Sequence, residues 1–292
     1  MKNNNKKKGY IIAFLLILIY IIIQVTYIVA KENDKMRISV YSWHIDKVDC
    51  QEFKSISKDL DINSFYQYMP ALEINTSETF NNLVNDLKKF GVKTYLLAGT
   101  PNQVYDEEII ELKKLIDEVE KYNINNDVKL EGIVLDAEFY LDEKYNKENK
   151  EECFLDYYNN VKKAYEYAKK KNIKFILVIP YWLDTTFGVD KLEKLIKDSC
   201  DSIEVMNYYK QKTKEHIKSE IELAKKYNKS IVTISELQKA NEEEAVTTQI
   251  TFYTDGLQAC TEDMKLILKE YNYNQLGYAY HYYDYLIELY NN

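Results

Sequence analysis

After residue 31, short apolar runs alternate with amphipathic stretches about eight times along the chain. The apolar runs read as strands: RISVYSWH (37–44), INSFYQYM (62–69), VKTYLLAG (92–99), KLEGIVLDAE (129–138), IKFILVIP (173–180), DSIEVMNYY (201–209), KSIVTISE (229–236) and QLGYAYHYY (275–283). Between them lie helical patterns. In 106–122, Ile109, Ile110, Leu112, Leu115, Ile116 and Val119 recur at the spacing of one helical face. CFLDYYNNVKKAYEYAKKK and TKEHIKSEIELAKKY read similarly, and TEDMKLILKEY precedes the last strand. Helices between strands require crossovers, hence a parallel sheet. Eight such units in about 255 residues predict a single closed (β/α)8 TIM barrel of the α/β class. An open doubly wound sheet is the competing arrangement, but no GxGxxG turn follows the first strand. Pro70, Pro101 and Pro180 each fall at or just beyond the carboxyl end of a predicted strand, where barrels carry their functional loops.

The first thirty residues follow a different pattern. Residues 1–8 are a basic tail, and 9–30 form a near-continuous apolar run, about the length that spans a bilayer. The lysines on its amino side predict a signal-anchor with the tail in the cytoplasm and residues 31–292 outside the cell membrane. Cleavage after Ala30, which would release the domain, is the alternative. Removing the four lysines of this segment leaves 35 basic and 47 acidic side chains, a net charge of −12. That balance argues against a nucleic-acid partner, which needs clustered Lys and Arg. Cys50, Cys153, Cys200 and Cys260 lie far apart without metal-ligand spacing and read as unlinked thiols. No metal or cofactor is implied.

LEGIVLDAEFY (130–140) carries the strongest chemical signal. Alternate side chains of a strand share a face, so Asp136 and Glu138 point the same way, above Val134 and Gly132. Two like charges at the carboxyl end of a barrel strand raise the proton affinity of one, which suits general acid catalysis on a glycosidic oxygen. Aromatic residues gather at the same strand ends: Trp43 after the first, Tyr181 and Trp182 after the fifth, Tyr282 and Tyr283 after the eighth. Such rings stack on sugars, although they also cap barrel cores by packing. His281 shares a face with Gly277 and Ala279 and reads as a hydrogen-bonded pocket wall, while Asp184 and Asp284 are rim candidates.

EGIVLDAE resembles the DxxDxDxE signature of family 18 glycoside hydrolases, the chitinase-like barrels. Its terminal D-x-E falls on Asp136 and Glu138; the two earlier aspartates fall on Glu131 and Val134, where this sequence departs. VMNYY (205–209) resembles that family's M-x-Y-D, with Met206 and Tyr208 matching and Tyr209 replacing the acid. The patterns VLDAEFY, IPYWLD, ITFYTDG and AYHYYDYL further resemble an uncharacterised group of bacterial barrels distantly related to those enzymes. The likeness runs from about Arg37 to Leu286.

The resemblance implies cleavage of an N-acetylated polysaccharide, of cell-wall or exopolysaccharide type, with the substrate's acetamido group as nucleophile. Glu138 would be the acid/base, Asp136 would hold the acetamido N–H, and Tyr208 would donate to its oxygen. Trp43, Trp182, Asp184, Met206, Glu236, His281 and Tyr282 are the expected substrate-binding residues. Two alternatives stand beside this reading. A retaining mechanism would use Glu138 with Glu236, at the end of the seventh strand, as nucleophile. A barrel that binds glycan without cleaving it is favoured by the missing acids at Val134 and Tyr209.

Overall fold

A computed structural model describes residues 36–241 and 245–292, with Ile17 and Tyr20 before them. The expected tail (1–8) and apolar span (9–30) therefore lie outside the described residues, those two positions excepted. Among the described residues no helix is long and apolar enough to cross a membrane.

All eight expected strands form: β1 (Ile38–Ser42), β2 (Ser64–Tyr68), β3 (Lys93–Ala98), β4 (Gly132–Leu135), β5 (Lys174–Pro180), β6 (Ser202–Met206), β7 (Ser230–Glu236) and β8 (Leu276–His281). Each pairs in parallel with the next, and β8 returns to β1, closing the barrel. The helices are α1 (Cys50–Asp59), α2 (Glu78–Lys89), α3 (Ile110–Asn125), α4 (Lys150–Lys170), α5 (Leu183–Phe187), α6 (Val189–Asp198), α7 (Thr213–His216), α8 (Lys218–Tyr227), α9 (Gly256–Tyr271) and α10 (Tyr283–Asn291).

Two helical expectations change in detail. The stretch 106–122 starts its helix only at Ile110, because the Asp106 carboxylate accepts from the Glu108 and Ile110 N–H groups and holds a turn ahead of it. Ile109 is buried and Ile110 is exposed, so Ile110 is not on the packed face. The stretch 213–227 is interrupted at Ile217, which divides α7 from α8.

Strand alternation separates two cores. Ile133 and Leu135 face the surrounding helices, whereas Val134 faces inward with Tyr41, Tyr66, Leu97, Ile176 and Val232. The interior is not wholly apolar. Glu204 on β6 is fully buried, and accepts hydrogen bonds from the hydroxyls of Tyr41 (2.6 Å) and Tyr66 (2.5 Å) and from Arg37 (3.3 Å). Arg37 also donates to the Ser202 and Ser230 hydroxyls and lies 5.7 Å from the ring centre of Tyr95. Gly277 allows this arrangement: a Cβ there would sit 2.0 Å from the Arg37 carbonyl oxygen.

Removing one member of a buried ion pair leaves the other uncompensated, at a cost of about 3–5 kcal/mol, whereas replacing both by apolar side chains is often neutral. Glu204→Ala is therefore expected to lower the urea-unfolding free energy by about that amount. The double replacement Arg37→Met with Glu204→Gln, which keeps an acceptor for the Tyr41 and Tyr66 hydroxyls, should recover most of it, and equal losses in the two variants would contradict the account.

Candidate active site

β4 stops at Leu135, three residues short of the expected end. The Asp136 N–H still donates to Ala98 O at 2.7 Å, continuing the β3 ladder, after which the chain turns, with Phe139 N–H on Ala137 O. Glu138 opens a 3-10 turn over Phe139–Leu141. Phe139 anchors that turn: its ring is buried, stacks on Tyr157 with centres 4.5 Å apart, and meets Phe154 and Phe187. The Tyr105 hydroxyl donates to Phe139 O at 2.9 Å. Burial of Phe139 thus sets the direction in which Glu138 and Tyr140 leave the barrel. On the other side, Gly99 has φ +141°, and a Cβ there would lie 2.3 Å from the Asp136 carbonyl oxygen. Only glycine fits so close a passage.

Asp136, Glu138, Met206, Tyr208, Trp43 and His281 all line one cavity of about 440 Å³ at the carboxyl ends of the strands. Tyr282 lines it too, with His44, Gly99, Pro101 and Gln238 among its other walls. A smaller lobe of about 260 Å³ shares Glu138, Met206 and Tyr208 with it and continues under Tyr140, Trp182 and Tyr209. Glu138 therefore stands on the border between two lobes. Two expected residues are not among the walls of either lobe. Asp184 sits on α5, where it accepts from Ser219 Oγ (2.7 Å) and the Thr185 N–H (2.6 Å). Glu236 lies behind His281 with both oxygens engaged, by the Gln238 N–H at 2.7 Å and by His281 Nδ1 at 2.8 Å.

The two carboxyls have different surroundings. Burial, then the nearby Glu138 charge and more distantly Glu204, push the Asp136 carboxyl up to about 7, with His281 opposing. Its Oδ1 is buried without a hydrogen-bond partner. Glu138 instead accepts a hydrogen bond from the Tyr140 hydroxyl, and Tyr140 packs edge-on against Trp182 at 4.8 Å. Burial first, then the surrounding carboxylates, hold the Tyr208 hydroxyl well above its usual range, so it stays a donor. The site thus offers a protonatable acid, a second carboxylate beside it, a phenol donor and aromatic walls.

Sequence reasoning passed over Glu204, Phe139 and Tyr140. Glu204 had a signal: Ser202, Glu204, Met206 and Tyr208 alternate on one face of β6, as Asp136 and Glu138 do after β4.

Neither protein-family models nor curated protein sequences give a match to this chain. Solved structures do. A family 18 chitinase from Pseudoalteromonas aurantia superposes with a TM-score of 0.57 at 12% identity, covering 84% of this chain and 93% of that one. The spore cortex-lytic enzyme SleL of Bacillus megaterium gives 0.56 at 11% identity, over 88% and 73% respectively. An intracellular xylanase from Thermoanaerobacterium saccharolyticum gives 0.52 at 11% identity, over 85% and 86%. The chain therefore shares the (β/α)8 barrel fold of these structures. At such identities the likeness is one of fold, so chemistry has to be argued from the site.

A protonated Asp136 in the fold means that its contribution to stability is full below about pH 4, the ordinary carboxylate value, and is lost as pH rises through about 7. Glu138→Gln removes one of the charges responsible. The Asp136 carboxyl resonance, followed by 13C NMR, is therefore expected to titrate at lower pH in that variant; an unchanged midpoint would show that the Glu138 charge plays no part.

Proposed function

We propose that this barrel hydrolyses an N-acetylated polysaccharide, of cell-wall or exopolysaccharide type, by acid/base catalysis with substrate assistance. The observation carrying this reading is that Asp136, Glu138 and Tyr208 line one cavity on the strand-end face. Glu138 gives a proton to the glycosidic oxygen as that bond to the anomeric carbon breaks. The acetamido carbonyl oxygen bonds to the same carbon, so the protein supplies no nucleophile. For this step the proton has to lie on Glu138; Asp136, then ionised, accepts the acetamido N–H with its unpartnered Oδ1 and stabilises the cationic ring that forms. Tyr208 donates to the acetamido oxygen. Water then opens the ring with Glu138 as base, restoring the starting protonation. The retaining alternative has less support, because Glu236 spends both oxygens on Gln238 and His281.

We further propose that the domain works outside the cell membrane. The basic tail and the apolar run of the first thirty residues support that placement. A second reading, glycan binding without cleavage, keeps one specific observation: Val134 and Tyr209 stand where the resembled signature has acids.

Glu138→Gln, assayed on a glycan panel, is expected to lower turnover of the cleaved glycan by at least about 10²-fold while its affinity changes little. Undiminished hydrolysis by that variant would overturn the assignment. Binding without turnover by the unaltered protein across the panel would favour the non-catalytic reading.

A further inference from the structure

The cavity wall formed by Trp43 is held by a chain of polar contacts that the proposed reaction does not use. Trp43 Nε1 lies 3.2 Å from His281 Nε2, and His281 Nδ1 lies 2.8 Å from Glu236 Oε2. Glu236 is itself fixed by the Gln238 N–H. Its side chain is 4% exposed and that of His281 15%. An indole N–H can only donate, so His281 Nε2 must present a lone pair to it. The remaining proton of a neutral imidazole then sits on Nδ1, directed at the Glu236 carboxylate. One protonation state and one tautomer satisfy the whole chain.

We propose that Glu236 and His281 are positioning residues for Trp43: Glu236 selects the His281 tautomer whose Nε2 holds the indole, so the wall is set when His281 is neutral and released when it gains a proton. A proton on Nε2 turns the acceptor into a donor facing a donor, and the Trp43 contact is lost. The groups around His281 decide where this occurs. Glu236 faces it from β7, Asp136 and Glu138 from the end of β4, Tyr41 and Trp43 from β1 and its end, and Tyr208 from beyond β6. Tyr282 packs against it edge-on from the next position. Desolvation, the largest single influence, pulls the imidazole down, yet Glu236 with Asp136 and Glu138 brings the net effect upward. The release therefore falls above the usual histidine range. The geometry stands without any assumption about catalysis. Only the further statement that Trp43 meets a sugar rests on the function proposed above.

The chain has two tryptophans, so Trp182→Phe in the full-length protein leaves Trp43 as the single reporter. With Asp136→Asn added to remove the other group titrating in this range, its fluorescence from pH 5 to 9 is expected to change in one sigmoidal step. Glu236→Gln in the same background should move the midpoint about one to three pH units lower, the effect of removing an adjacent opposite charge. His281→Gln should abolish the step. A flat signal in the parent, or a midpoint unmoved by Glu236→Gln, would overturn the proposal. If His281→Gln does not fold, as judged by far-UV circular dichroism, the Glu236→Gln shift decides alone. Titrating an N-acetylglucosamine oligomer as probe separates the two readings. A pH step in Trp43 with no probe binding leaves the tautomer chain standing and counts against the proposed substrate; probe binding with a flat Trp43 signal does the reverse.

Discussion

A carboxylate in the middle of the barrel constrains everything around it. Glu204 is removed from water, and an isolated ion there would cost several kcal/mol. Arg37, Tyr41 and Tyr66 offset that cost with three hydrogen bonds, two of them short hydroxyl contacts. These partners come from the start of the barrel, in β1, from the residue before it, and from β2, whereas Glu204 sits opposite on β6. Arg37 ties on to β6 and β7 through Ser202 and Ser230. One buried charge therefore fixes how four strands meet across the interior. It also explains why Gly277 cannot carry a side chain, since the Arg37 backbone must pass there.

The same charge reaches the mouth. Tyr41 donates to Glu204 and packs edge-on against His281, 5.5 Å between ring centres, so the buried layer supports the cavity wall directly. Above it, the side chains grade from apolar to ionisable: Val134 in the barrel interior, then Asp136 just beyond β4, then Glu138 at the start of the following turn. Burial acts on the deeper acid, whereas the outer one reaches the Tyr140 hydroxyl. Depth and the neighbouring charge raise the proton affinity of the Asp136 carboxyl.

Much of this was legible in the sequence, because period-2 and period-3.6 patterns report directly on what each element buries. All eight strands fell within the expected windows, and Ile133 and Leu135 faced outward as their alternation with Val134 requires. The errors arise where side chains compete with the backbone pattern. Asp106 captures two N–H groups and delays α3, and Phe139, read as part of a strand-end motif, pulls the chain into a turn after Asp136. Glu204 was passed over because an acid in an apolar strand has no partner visible nearby in sequence; Arg37 is 167 residues away. Glu236 shows the same difficulty in reverse. Its position at the end of β7 suggested a role facing the substrate, and only the three-dimensional contact with His281 shows where its oxygens are spent.

The departure at Val134 now has a physical reading. In the resembled signature an acid there would lie beneath Asp136 and share its proton. Here that position is part of a tightly packed layer with Tyr41, Tyr66 and Ile176, where a second carboxylate would need partners those side chains already give to Glu204. Asp136 does not depend on it for a high proton affinity. Burial is the first cause of its upward shift, Glu138 the second, and Glu204 adds in the same direction from across the barrel. Interior negative charge sits on β6, where Arg37 and two phenols converge on it. A valine at 134 is therefore compatible with a protonatable Asp136, and the test of activity rests on Glu138, whose proton the proposed reaction must move.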